Sequence, residues 1–194
     1  NMRTAGEELA MALHLAGVGR VWDAGSGRVS GVEVVPLTLL GRPRIDVTLR
    51  VSGLFRDVFP GLATLFETGA AMLAERQETA ADNPYVTRAA RVFGPRPGQY
   101  GLGMGVAMDD FTPEARAAAG EAWLAASSWA IGMDGQSRDD RAGLEARLMT
   151  ADSFVHAQDL PESDVLLAGD YAAHEAGFAA ALARLGAAKP ALYH

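Results

Sequence analysis

Residues 41–60 read GRPRIDVTLRVSGLFRDVFP. Ile45, Val47, Leu49 and Val51 alternate with Arg44, Asp46, Thr48 and Arg50. Successive side chains of a strand point to opposite faces, so this alternation predicts a strand over 44–51 with one apolar face. The period then changes. Phe55, Val58, Phe59, Leu62, Leu65, Phe66, Gly69, Met72 and Leu73 recur at spacings of three and four, the stripe of a helix lying on a core. Pro60 has no N–H and clashes with a preceding turn. The main helix is therefore expected to start between Asp57 and Pro60 and to run to about Gln77, after a separate turn at Ser52–Arg56.

Upstream, residues 4–16 read as an amphipathic helix stopped by Gly17, and residues 21–35 as a hairpin around the turn DAGSGR. Downstream, 79–90 is a polar connection, and RVFGPRPGQYGLGMG (91–105) reads as a loop set by its prolines and glycines. Thr112-Pro113 is a helix start, a capping hydroxyl followed by proline. Ala122, Ala126, Trp129 and Met133 then share a helical face, with Gly132 as the stop. Ser137 is expected to cap a helix through Met149, and 152–157 to form a short strand. Asp170 opens a final helix with Tyr171, Phe178, Leu182 and Leu185 facing inward, ended by Gly186, and 191–193 forms a last strand. The expected class is mixed α/β, dominated by helices, with short strands rather than a regular doubly wound sheet. Residues 1–194 are expected to form a single segment, with any internal division near 79–98.

Composition narrows the function. A chain of 194 residues, 49% hydrophobic, is long enough to bury a real core. The net charge is −7 and no run of Arg or Lys occurs, so a nucleic-acid footprint is not expected. No apolar run reaches the ~18 residues of a membrane span. No secretory signal pattern is visible at the N-terminus. The absence of cysteine excludes disulfides, thiolate metal sites and cysteine nucleophiles, and fits a reducing cytoplasm. His14, His156, His174 and His194 are far apart and lack HExxH spacing, which argues against a zinc-hydrolase helix.

Four places carry candidate chemistry. Arg50 and Arg56 flank the expected carboxyl end of the 44–51 strand, where ligands of open α/β sheets sit, and an arginine fork suits a carboxylate. A solvent-facing strand with an ordinary ion pair explains the same residues. PGQYGLGMG (97–105) allows close backbone approach, but no GK[ST] follows, and a tight connecting loop accounts for it equally. FVHAQDLPESDVL (154–166) brings His156, Gln158, Asp159, Glu162 and Asp164 together, donors for a divalent ion or for proton exchange. Its spacing matches no closed metal site, and a hydrogen-bonded loop is the plainer reading. Trp123 and Trp129, six apart on one expected helix, are read as core packing with one ring near a surface.

Taken together these segments resemble one family. RPRIDVTLRVSGLFRDVFP (42–60), RVFGPRPGQYG (91–101), ESD (162–164) and GDY (169–171) occur in this order in large subunits of the metal-inserting chelatases. These are the ATP-dependent cobaltochelatase of aerobic cobalamin synthesis and its relative, the magnesium chelatase of chlorophyll synthesis. MRTAGEELAMALHLAGVGRVWD (2–23) and ALYH (191–194) are similar to the cobalt branch. The likeness covers almost the whole chain, which resembles an internal piece of the carboxyl-terminal half of a longer subunit. Ala157 and Ser163 depart from the family pattern, and the link between Pro84 and Arg91 is shorter.

The resemblance implies a tetrapyrrole-binding function. On that resemblance the metal would be Co2+, as substrate, and the acceptor the corrin hydrogenobyrinic acid a,c-diamide. Mg-ATP would be hydrolysed on separate AAA+ ATPase partner subunits, not on this chain. Arg50, Arg56 and Tyr100 are the expected substrate-binding residues, and Asp57 and Asp159 the expected acceptors of ring N–H protons. His156 and Asp164 are the metal candidates. Two alternatives stay open: porphyrin metal insertion of the magnesium type, and a non-catalytic segment that docks the ATPase partners.

Overall fold

The computed structural model describes residues 6–103, 112–156 and 169–193. Helix α1 (Glu7–Ala16) ends at Gly17, whose left-handed backbone (φ 79°) returns its N–H to the last turn. Strands β1 (Val18–Trp22) and β2 (Val29–Val34) form the expected antiparallel hairpin. Asp23 Oδ1 holds its turn, accepting the Ser26 N–H and hydroxyl, each at 2.7 Å. A single turn, α2 (Leu37–Leu40), leads to β3 (Leu49–Arg50), then α3 (Gly53–Val58) and α4 (Pro60–Ala74). Pro60 is the first residue of α4, where its missing N–H costs nothing. Next come β4 (Val92–Gly94), α5 (Pro113–Ala125), β5 (Trp129–Ile131), β6 (Ser137–Asp139) and α6 (Arg141–Met149). The chain closes with β7 (Ser153–Val155), α7 (Gly169–Leu185) and β8 (Ala191–Tyr193). The expected mixed α/β class, rich in helix and with short strands, is what forms.

A four-stranded sheet of order β3-β4-β5-β6 organises the core. β3 and β4 are parallel, and the other neighbours antiparallel. Strand alternation splits its side chains between two hydrophobic clusters. Val92 and Ile131 join Leu13, Val18, Phe55, Phe66 and Leu73 on one face. Phe93 and Ala130 join Trp123, Leu124, Leu144, Phe178 and Leu182 on the other. Each large apolar side chain so buried contributes roughly 1.5–3 kcal/mol. α5 and α7 lie close together because residue 120 is glycine. A Cβ there would stand 2.8 Å from the Ala180 carbonyl. Trp123 meets Phe178 edge-on with ring centroids 5.5 Å apart, and Phe178 stacks on Phe154 at 4.3 Å.

Several expectations need correction. Only Leu49–Arg50 of the expected 44–51 strand pairs as a strand. Its backbone groups upstream find irregular partners instead. The Arg44 N–H goes to Asp82, that of Ile45 to Leu15, and that of Val47 to the Tyr85 hydroxyl, which itself donates to the Ile45 carbonyl. Burial is reversed only at the start of the stretch, with Arg44 3% exposed and Ile45 44%, while Val47, Leu49 and Val51 pack on the core as expected. The stretch 91–105 is not wholly loop, because Val92–Gly94 is a fully buried strand. A short strand covered on both faces shows no alternation to read. α5 stops at Ala125, so Trp129 and Met133 are not on its face, and the two tryptophans belong to different elements. Ser137 starts β6 rather than capping a helix. The cap of α6 is Asp140, whose carboxylate accepts the Gly143 N–H at 3.0 Å. Asp134-Gly135, with Gly135 at φ 72°, turns β5 into β6. In α7, Phe178 and Leu182 are buried as expected, while the Tyr171 side chain lies outside the described residues.

Candidate functional site

The carboxyl ends of the parallel strands β3 and β4 deliver two segments side by side. β3 runs into Ser52, whose hydroxyl caps α3 by accepting the Phe55 N–H at 3.0 Å. β4 runs into Pro95 and the glycine-rich segment beyond it. Gly53, the first residue of α3, lies directly against that segment, and a Cβ there would collide with the Gln99 carbonyl. Glycine at 53 is thus what lets the 97–103 segment seat on α3.

Arg56, only 7% exposed, links the two segments. Its Nη1 donates to the Pro95 carbonyl at 2.7 Å. Its Nε and Nη2 grip Asp57 Oδ1 and Oδ2 at 2.7 and 3.1 Å. Tyr100 reaches over from the seated segment and donates its hydroxyl to Asp57 Oδ2 at 2.5 Å. Hydrogen bonds from Arg56 and then Tyr100 hold the Asp57 carboxyl below the usual range. The same carboxylate raises the Tyr100 phenol. Arg56 and Asp57 line a cleft of about 420 Å³ with Pro60, Ala63, Pro97 and Gln136. The structure brings Arg56, Asp57 and Tyr100 together at the strand ends, where they present a partly exposed carboxylate and a tyrosine hydroxyl.

Arg50 does not join them. It turns toward α5 and α7. Its Nη2 and Nε donate to the Ala126 carbonyl and the Ser127 hydroxyl, each at 3.1 Å, and its Nη1 lies 3.5 Å from His174 Nε2. Burial lowers the Arg50 guanidinium to about 10. Burial, followed by the Arg50 and His156 charges, pushes His174 down to about 3, so its imidazole is neutral. The His156 and His174 rings stand 5.5 Å apart. His174 was not singled out from sequence, since a lone histidine in a helix gives no signal. Asp159 and Asp164 lie outside the described residues. Among the described residues no group of three or more histidine and acidic side chains converges on one point.

The other ions of the opening stretch are structural. Arg44 is enclosed by Glu78, at 2.7 and 2.8 Å, and by the Gly17 and Val35 carbonyls. Asp46 joins Arg91 at 2.9 Å and Arg147 at 2.6 Å, and Thr48 accepts from Arg147 at 2.8 Å. A wider cleft of about 890 Å³ lies between α4 and the β5–β6 hairpin, with Glu67, Tyr85, Arg88, Met133 and Arg138 in its lining. Among the described residues no helix is long and apolar enough to cross a membrane.

Comparison with known proteins identifies the family. The CobN/Magnesium Chelatase family model matches residues 1–194. Aerobic cobaltochelatase subunit CobN of Sinorhizobium sp is 40% identical over 215 residues, covering 100% of this chain and 17% of that protein. The chloroplastic magnesium-chelatase subunit ChlH of Oryza sativa subsp. japonica is 33% identical over 186 residues, covering 86% of this chain and 13% of that protein. The solved catalytic subunit of cobaltochelatase from Mycobacterium tuberculosis superposes with a TM-score of 0.88 at 30% identity, over 97% of this chain and 17% of that one. The chain thus spans about a sixth of the length of the cobalt-branch relatives it matches. By sequence and by fold, it belongs to the CobN/magnesium chelatase family.

Proposed function

We propose that these residues form part of the tetrapyrrole-binding large subunit of an ATP-dependent cobaltochelatase. The complete assembly inserts Co2+ into hydrogenobyrinic acid a,c-diamide in cobalamin biosynthesis, in the cytoplasm. AAA+ ATPase subunits carry the Mg-ATP, and this chain alone is inactive. The observation that carries the reading is the 40% identity to a CobN protein over the whole chain. The magnesium branch is the second reading, favoured by the 33% identity to the rice subunit.

The candidate site supports a division of labour. Metal insertion expels two ring N–H protons. Asp57 is the acceptor of such a proton, a carboxylate set at the strand ends beside the cleft. Its partial exposure, 39% for the side chain, gives the proton a route to water. Tyr100 and Arg56 set the carboxylate in place, and Asp159 is the second acceptor. Arg50 acts from behind, through the end of α5 and His174. His156 and Asp164 remain the metal-handling candidates.

The test is a titration of the chain with hydrogenobyrinic acid a,c-diamide and, in parallel, a porphyrin. Tryptophan quenching, corrected for inner-filter absorption, reports binding. Saturable binding that prefers the corrin supports the cobalt branch, and preference for the porphyrin supports the magnesium branch. No saturable binding of either removes tetrapyrrole recognition from these residues.

A further inference from the structure

Three arginines come to the carboxyl ends of β3 and β4: Arg50, Arg56 and Arg96. The first two are engaged inward, Arg50 by Ala126, Ser127 and His174, and Arg56 by Pro95 and Asp57. Arg96 is different. It is exposed, and its guanidinium lies 5.7 Å from the centroid of the Trp129 ring. Among the described residues no carboxylate or carbonyl accepts from it. The arginines of the wider cleft are not so placed, since Arg88 is paired with Glu75 and Arg138 with Asp134.

The backbone under Arg96 is constrained. Pro95 before it is fully buried, with its carbonyl held by Arg56, and Pro97 after it lines the cleft beside Asp57. Proline on both sides restricts the chain and fixes the base of the side chain. Trp129 leads β5 and pairs with Gly94 at the carboxyl end of β4. An aromatic ring attracts a guanidinium over its face and leaves the N–H edge available. A planar fork with free donors, positioned by a ring, suits bidentate capture of a carboxylate.

We propose that Arg96, seated on Trp129, is a carboxylate-binding subsite that takes a peripheral carboxylate of the tetrapyrrole. The subsite rests on the tetrapyrrole reading above and assigns anion recognition to the one of the three whose fork is not engaged inward among the described residues. Arg96 was passed over in the sequence because an arginine between prolines looks like loop punctuation. Its partner, Trp129, is 33 positions away and meets it only through the β4–β5 pairing.

The experiment uses the 194-residue chain with Arg96→Ala and Arg96→Lys. Each is titrated with hydrogenobyrinic acid a,c-diamide and with the same corrin methyl-esterified at its carboxylates, after near-UV circular dichroism establishes an unchanged fold. The parent chain should bind the acid roughly tenfold more tightly than the ester, the scale of a hydrogen bond to a charged group. Arg96→Ala should bring the acid down to the ester, and Arg96→Lys should keep only part of the difference. If Arg96→Ala retains the full preference, or the parent shows none, the subsite is overturned while the tetrapyrrole reading stands. If the parent binds neither form, both fall together.

Discussion

Arg56 grips Asp57, its neighbour in sequence, along one edge of its guanidinium, Nε to Oδ1 at 2.7 Å and Nη2 to Oδ2 at 3.1 Å. The remaining nitrogen, Nη1, donates to the Pro95 carbonyl, 39 residues away. One buried side chain thus orients the carboxylate and ties the two strand ends together.

Arg56→Ala should therefore do two things. It leaves the Pro95 carbonyl buried without its donor, which costs about 1–3 kcal/mol. Urea unfolding should show a lower midpoint with an unchanged slope. Asp57 should also titrate nearer its ordinary value, readable by NMR of its carboxyl carbon. A depressed carboxyl contributes stability above its unfolded pKa of about 4 and loses it as pH falls through the folded value. The parent chain should thus lose more stability than Arg56→Ala on acidification below about pH 4.

Gly53→Ala should disturb Tyr100, whose ring lies 3.1 Å from where the added Cβ would stand. The added methyl collides with the Gln99 carbonyl, so the segment must lift from α3. The expected cost is about 1–3 kcal/mol, as for other overpacked sites. In an alkaline ultraviolet titration, the phenol of Tyr100 should move back toward its ordinary value. Tyr100→Phe should delete that titration while leaving Tyr85, which burial raises to about 12. A raised phenol pKa stabilises the fold below its unfolded value near 10 and is lost as pH climbs through the folded value. An unchanged Tyr100 titration in Gly53→Ala would refute the seating role.

His174 should confer acid sensitivity. Its folded pKa of about 3 lies below the ordinary 6.5, so the folded state resists protonation. Its stability contribution is complete above pH ~6.5 and declines as pH falls toward about 3. One of the four histidine ring signals in NMR should therefore stay neutral down to about pH 4. His174→Gln should flatten the stability profile between about pH 6.5 and 4. A His174 signal with a midpoint near 6.5 would contradict the burial described.

Glu78→Ala should be among the most damaging single changes outside the apolar core. Arg44, with no exposed side-chain surface, would lose the carboxylate that pairs with it. A buried charge stripped of its partner typically costs about 3–5 kcal/mol. Replacing both residues with apolar side chains of similar volume should recover much of that loss. Chemical denaturation of the single and double variants measures the difference.

Much of the fold was legible in the sequence wherever a signal is local. The stripe from Phe55 to Leu73, the stop at Gly17, the Thr112-Pro113 start and the hairpin turn at Asp23 each depend on residues within a turn or two of one another. The candidate site was legible in part for the same reason. Arg56 and Asp57 are adjacent, and Tyr100 lies in a segment marked by its glycines. The strand β5 is hidden in the sequence, because Trp129 and Met133 continue the helical spacing of Ala122 and Ala126.

The chain by itself determined its class, the order of most of its elements and, through strings such as RPRIDVT and SGLFRDVFP, its family. Tertiary structure alone decided which ions are buried and which are free. Arg44, Arg50, Arg56 and Arg96 are chemically the same residue. Arg44 is enclosed by Glu78, Arg50 by α5 and α7, and Arg56 by the end of β4, while Arg96 is exposed and rests on Trp129. Those partners are contributed by remote segments. An arginine's long side chain takes whichever acceptors the packed fold brings within reach, and alternation along a strand cannot foretell them.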